Sequence, residues 1–203
     1  MPKHELPKLS YPYNALEPFM DTKTMELHHT KHHQTYVDKL NAVLQKYPGL
    51  FNKDLKELVK NINSVPEDVR TVVKNYGGGH LNHSLFWQIM TSDKKERKFE
   101  GKIAEEIKKI FGNYDEFKKK LTETALGVFG SGWAWLVVSN GKLEIIPTPN
   151  QDSPLMQNKI PILVVDMLEH AYYLKYQNRK IEYVEAFFNV INWKQVNENF
   201  KII

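Results

Sequence analysis

Gly132-Trp-Ala-Trp-Leu-Val-Val138-Ser-Asn-Gly-Lys142-Leu-Glu-Ile-Ile146 is where the texture of the chain changes. Two runs rich in β-branched and aromatic residues flank Ser139-Asn140-Gly141, the signature of a β-hairpin turn. Further on, Pro161-Ile-Leu-Val-Val165 reads as a third, buried strand, giving a small three-stranded antiparallel sheet. Towards the N-terminus the periodicity is helical. Met25, His29, Tyr36, Leu40, Val43, Leu44 and Tyr47 fall on one stripe between Thr22 and Tyr47, and Pro48-Gly49 breaks it. A second helical pattern runs from Pro66-Glu67 through Val69, Val73, His80, His83 and Trp87 to Met90. Two long helices with a connection between them predict an antiparallel hairpin.

The first residues, with Pro2, Pro7, Pro12 and Pro18, predict an extended arm. Polar residues from Thr91 to Lys98 read as a linker, which divides the chain into residues 1–91 and 92–203. Helical patterns around Ile103–Phe111 and Tyr114–Phe129 precede the hairpin, and others follow from His170 and through Tyr183–Trp193. The expected class is α+β, a helical hairpin followed by an α/β domain.

At 203 residues the chain can bury a substantial core. Lys and Arg exceed Asp and Glu by 28 to 24, a mild excess that can steer small anions. It is too dispersed for nucleic-acid binding, since no basic run is interleaved with stacking aromatics. With no Cys there are no disulfides and no thiolate ligands, so any metal must sit among nitrogen and oxygen donors. No run reaches membrane-spanning length and the first residues lack the apolar stretch of a signal peptide, so a cytoplasmic protein is expected.

Candidate donors are concentrated in three places. In Asp166-Met-Leu-Glu-His170-Ala-Tyr-Tyr173 a carboxylate and an imidazole stand four apart, the spacing that shares a helix face. His28-His29-Thr30-Lys31-His32-His33 and His80-Leu81-Asn82-His83 supply further imidazoles. Three His and one Asp would suit iron or manganese. Any one His is more often a core-edge residue satisfied by hydrogen bonds. Four within six residues, on a stripe that otherwise buries apolar groups, weaken that reading. Asp166 emerges from an apolar run, where a carboxylate is costly unless paired, bound to a cation, or used as a helix N-cap. Gly77-Gly78-Gly79 would cost a helix roughly 3 kcal/mol relative to Ala. Either a close approach compensates or the helix starts after Gly79. Trp133 and Trp135 read as packing, and Asn150-Gln151-Asp152-Ser153 as a polar turn.

Taken together, five landmarks resemble the iron/manganese superoxide dismutase family. They are Met25-Glu-Leu-His-His-Thr-Lys-His-His-Gln-Thr-Tyr36, Gly78-Gly-His-Leu-Asn-His-Ser-Leu-Phe-Trp87, Gly130-Ser-Gly-Trp-Ala-Trp135, Asn150-Gln-Asp-Ser-Pro154 and Asp166-x-x-Glu-His-Ala-Tyr-Tyr173. The resemblance spans essentially the whole chain. It implies an oxidoreductase that converts superoxide to O2 and H2O2, cycling one manganese ion per subunit, or iron, between +3 and +2 with proton-coupled reduction of a bound hydroxide. His28, His83, Asp166 and His170 would be the ligands. Tyr36 and His32 would line the substrate funnel, Gln151 would hydrogen-bond the solvent ligand, and Lys31 and Arg179 would supply positive charge at the entrance. Glu169 and Tyr173 would reach the site of a partner subunit, which implies a homodimer or a homotetramer. Gln151 and Gly79 match manganese-type members. Leu168 departs from the Trp usual two residues after the Asp, as do Val164-Val165 and Phe19-Met20 from their family counterparts. These departures bear on metal choice and rate and remove no ligand.

Overall fold

The computed structural model describes residues 4–201, and its architecture is α+β. Helix α1 (Thr22–Leu27) begins where the Asp21 carboxylate accepts from the Thr24 amide at 2.9 Å. It continues without a break through a π-helical segment, His28–His33, into α2 (Gln34–Leu44). The π turn falls on the histidine cluster and re-aims every side chain after it, as such turns commonly do at functional sites. Pro48-Gly49 ends the long helix, yet Pro48 also starts a short one, because proline suits a first helical turn. Helix α3 (Pro48–Phe51) and α4 (Leu55–Lys60) form the hairpin tip.

The return limb is α5 (Glu67–Val72), a second π segment at Val73–Gly77, and α6 (Gly78–Gln88). The helix therefore runs through all three glycines, and close approach accounts for Gly78 and Gly79. A Cβ on Gly78 would lie 2.2 Å from the Gln151 carbonyl oxygen. One on Gly79 would lie 2.8 Å from the Tyr36 ring, and one on Gly77 3.2 Å from Leu55.

After the linker come α7 (Lys102–Phe111) and α8 (Tyr114–Leu126), then β1 (Gly132–Ser139), β2 (Lys142–Pro149) and β3 (Ile160–Asp166). The sheet has the order β2-β1-β3, all antiparallel. Asn140 and Gly141 both have positive φ, 49° and 74°, which makes the turn type I′. The chain closes with α9 (Tyr173–Tyr176), α10 (Lys180–Phe187) and α11 (Trp193–Lys201).

Three expectations need correction. The arm is irregular only as far as about residue 10; beyond it turns such as Ala15 N to Pro12 O at 3.0 Å coil the chain and bury Leu16 and Met20. Asp166 and His170 do not share a helix face. Asp166 ends β3, and His170 sits in a 3-10 turn, Glu169–Ala171. The Tyr183–Trp193 pattern is two helices. Residues 188–192 leave helical geometry to pair with the end of the hairpin, through Thr91 N to Val190 O at 2.9 Å and Asn192 N to Ile89 O at 2.8 Å. Tertiary pairing outweighs local periodicity there.

A small core fills the hairpin tip around Leu40, Leu44, Val59 and Val73. The larger core joins Met25, Phe86 and Trp87 of the hairpin to Trp133, Val164 and Phe187. Helix α6 is thereby clamped against β3 and α1 against the 3-10 turn that follows it, and the histidines lie along that seam.

Candidate metal centre

Four side chains from four elements converge at the seam. Nε2 of His28, Nε2 of His83 and Nε2 of His170 lie 3.1, 3.7 and 3.6 Å from Asp166 Oδ2. One donor atom from each of the four residues falls within 4.8 Å of every other. Nε2 of His28 and Oδ2 of Asp166 are buried and make no hydrogen bond among the described residues. Orphaned polar atoms at such depth are costly unless something binds them. Three neutral imidazoles and a carboxylate fit one transition-metal cation, so the donor set meets its requirement.

The neighbouring groups hold the donors in the form a cation needs. His83 donates from Nδ1 to the Gly79 carbonyl at 2.7 Å, which fixes its tautomer and leaves the Nε2 lone pair facing the seam. Asp166 accepts the Leu168 amide on Oδ1 at 2.8 Å, leaving Oδ2 for the centre. Leu168 is itself partly buried against the larger core. Burial first, and then neighbouring imidazoles, keep His28 and His83 well below the usual histidine range. Trp87, Phe86 and Trp133 wall the rings, with Trp87 4.7 Å from His28 and Trp133 5.0 Å from His83.

The other candidates are distributed around this cluster. Tyr36 lies beside His83, ring centres 5.1 Å apart, and His32 stacks on His170 at 4.2 Å. Gln151 is buried and doubly held. Its Oε1 accepts from Trp133 Nε1 at 3.2 Å and its Nε2 donates to the Tyr36 hydroxyl at 3.0 Å. Gly79 faces the Tyr36 ring, and the Gln151 amide lies beyond it, at the hydroxyl. Burial pushes the Tyr36 hydroxyl up to about 12, so it keeps its proton at neutral pH. Glu169 and Tyr173 are exposed. Lys31 is exposed and makes no ion pair among the described residues, whereas Arg179 pairs with Glu182 at 3.1 Å and donates to the Lys175 carbonyl. Arg179's charge is thus partly matched where it stands.

Both halves of the chain match models of one family. Residues 3–91 match the α-hairpin domain, and residues 99–199 the C-terminal domain, of the iron/manganese superoxide dismutases. The chain belongs to the iron/manganese superoxide dismutases. Two relatives bearing the name superoxide dismutase [Mn] come from Listeria innocua serovar 6a and Listeria monocytogenes serovar 1/2a. They are 54% and 55% identical over 197 residues, covering 97% of this chain and 97% of each relative.

Within this dismutase, sequence reasoning overlooked a second polar chain behind the four-residue cluster. Trp87 Nε1 donates to His33 Nδ1 at 2.9 Å, so His33 carries its proton on Nε2 and donates to His80 Nδ1 at 2.7 Å. The available signal was the spacing Gly-Gly-His-x-Asn-His, which puts polar residues on a face that packs inward. Burial lowers His80 from its usual 6.5 to about 4. His80 thus stays neutral when folded but protonates near 6.5 when unfolded. Its support for the fold is full above 6.5 and is withdrawn as pH falls from 6.5 through about 4. Urea unfolding of the metal-free chain should therefore lose about 3 kcal/mol of stability over that window from His80 alone. His80→Gln should show a visibly shallower dependence. An equal slope in both proteins would remove His80 from the account.

Proposed function

We propose that this dismutase removes superoxide with a single manganese ion held by His28, His83, Asp166 and His170, between an N-terminal unit of residues 1–91 and a C-terminal unit of residues 92–203. The convergence of four donors, three of them buried and two orphaned among the described residues, carries the reading. Held by these four residues, manganese would supply one-electron redox chemistry between +3 and +2, by which two superoxide ions and two protons would become O2 and H2O2.

The surrounding residues supply the rest of the chemistry. Asp166 contributes the one negative charge of the donor set, so the buried centre is less positive than three imidazoles alone would leave it. With Oε1 engaged by Trp133 and one amide hydrogen on Tyr36, Gln151 keeps a second hydrogen to offer toward the centre. Tyr36, protonated at neutral pH, can release a proton to a departing peroxide and recover it by way of His32 and solvent. The aromatic wall excludes bulk water. Lys31 at the surface attracts the anion, so the rate should fall with ionic strength.

The Gln151 and Gly79 pairing and the names of the two Listeria relatives favour manganese over iron. A homodimer, or a homotetramer built from it, is supported by apolar groups exposed on the surface. Tyr173 and Leu174 are 50% and 56% exposed, and Phe129 is fully so. A second copy would cover them, with Glu169 and Tyr173 reaching its His170 and His32. No helix among the described residues is long and apolar enough to cross a membrane, and we place the enzyme in the cytoplasm.

Superoxide decay after pulsed generation tests the proposal, using protein loaded separately with manganese and with iron. Fast decay with manganese alone is expected. Equal rates would mean that either metal serves, and no acceleration in folded, loaded protein would overturn the reading.

A further inference from the structure

The Gln151 side chain carries the tuning role proposed above, yet its backbone is fixed by the opposite half of the molecule. The loop leaves β2 through Asn150, whose left-handed φ of 49° turns the chain inward, and Asn150 N donates to Ser131 O at 2.8 Å. The Gln151 carbonyl then enters a notch on α6. Asn82 Nδ2 donates to it at 3.0 Å, and Gly78 lacks the Cβ that would stand 2.2 Å from it. Next to it, Asp152 pairs with Lys74 of the second π segment at 2.9 Å. The same limb of the hairpin therefore holds residues 151 and 152 at two points, each contributed by a different helical turn.

Asn82 is an unusual choice for a purely structural position. It is 1% exposed, and its Oδ1 finds no hydrogen-bond partner among the described residues. A buried, half-satisfied amide costs stability that an apolar residue of similar shape would not. What the amide offers is one directed donor, aimed at the main chain of Gln151.

We infer that Asn82 is a positioning residue for the reaction, a latch from α6 that sets how near the Gln151 amide stands to the metal centre. Gly78 supplies the clearance and Lys74–Asp152 the outer brace. The latch acts through Gln151, so it rests on the dismutase reading for its consequence. Its geometric claim, that Asn82 controls the Gln151 amide, is separable from activity.

The test uses Asn82→Leu and Lys74→Met, loaded with manganese, beside wild type and Gln151→Ala. The readouts are metal content, the visible absorption band and the pH midpoint of its change, melting temperature, and superoxide turnover. Asn82→Leu is expected to keep its metal, to move the band and its pH midpoint in the same direction as Gln151→Ala, and to lose about tenfold in turnover, the lower end for a lost outer partner. Lys74→Met, a change at the protein surface, should move the same spectral readouts in the same direction by a smaller amount, which keeps the test decisive if Asn82→Leu fails to fold. A lowered melting temperature with the wild-type band and pH midpoint in both variants would overturn the latch and leave Asn82 a packing residue. Wild-type protein that binds manganese without removing superoxide would defeat the dismutase reading instead, and the spectral comparison would still decide the latch.

Discussion

Asp166→Asn should abolish metal binding and dismutation while making the metal-free protein more stable. The carboxylate is fully buried at the end of β3, with one oxygen satisfied by the Leu168 amide and the other unpartnered among three imidazole nitrogens. Without a cation, that buried charge costs several kcal/mol of desolvation. Asparagine keeps the shape and can still accept from Leu168 N, so the apo fold should gain about 1–3 kcal/mol. With the cation, the balance reverses. The donor set loses its only negative charge, and metal affinity should fall by more than the ten- to hundredfold typical of an outer partner. Turnover should fall with it. Melting curves with and without chelator provide the check. Wild type should melt higher with metal than without, whereas the variant's two curves should coincide. A variant that retained its metal and its superoxide decay would rule out Asp166 as a ligand.

Gly78→Ala should be among the most destabilising single-methyl additions available in this chain. On helix propensity alone the change is favourable by about 1 kcal/mol. Tertiary structure reverses the sign. The added Cβ would sit 2.2 Å from the Gln151 carbonyl oxygen, which is main chain and cannot rotate aside. That carbonyl is also held by Asn82 and flanked by the Lys74–Asp152 pair, so α6 and the loop must separate. Overpacking costs typically 1–3 kcal/mol and sometimes more, and a rigid neighbour puts this site at the upper end. Set against the propensity gain, a net loss of about 2 kcal/mol corresponds to a fall in melting temperature of roughly 4–8 °C. Gly77→Ala is the internal control. Its Cβ would meet side-chain methyls, of Leu55 and Val59 at 3.2 and 3.3 Å and of Leu40 at 3.8 Å, rather than main chain, and these can give. That variant should stay within about 1 kcal/mol of wild type. Equal effects at the two positions would discard the close-approach explanation.

Several features were legible in the residues because they depend on local physics. The hairpin turn follows from Asn140-Gly141 and their tolerance of positive φ. The helical limbs follow from period-3.6 patterning, and the nitrogen-and-oxygen nature of the site from the absence of Cys. That Gly77-Gly78-Gly79 demanded compensation was also readable, since the propensity cost is a property of the backbone.

What the residues could not disclose was decided by contacts between distant segments. Asp166 and His170 converge because β3 stops and a 3-10 turn follows, and only the pairing of β3 with β1 determines where β3 stops. The π turns at the histidine cluster and before Gly78 leave no propensity signal. The split of the last helical pattern comes from hydrogen bonds to residues 89 and 91, about a hundred positions away. Asn82 and Gln151 stand 69 residues apart and meet only because one packed core draws α6 against the sheet. Sequence alone therefore determined the elements and the chemical nature of the donors. Their convergence on a single point needed the packed seam, because burial and long-range pairing act between segments that carry no record of one another.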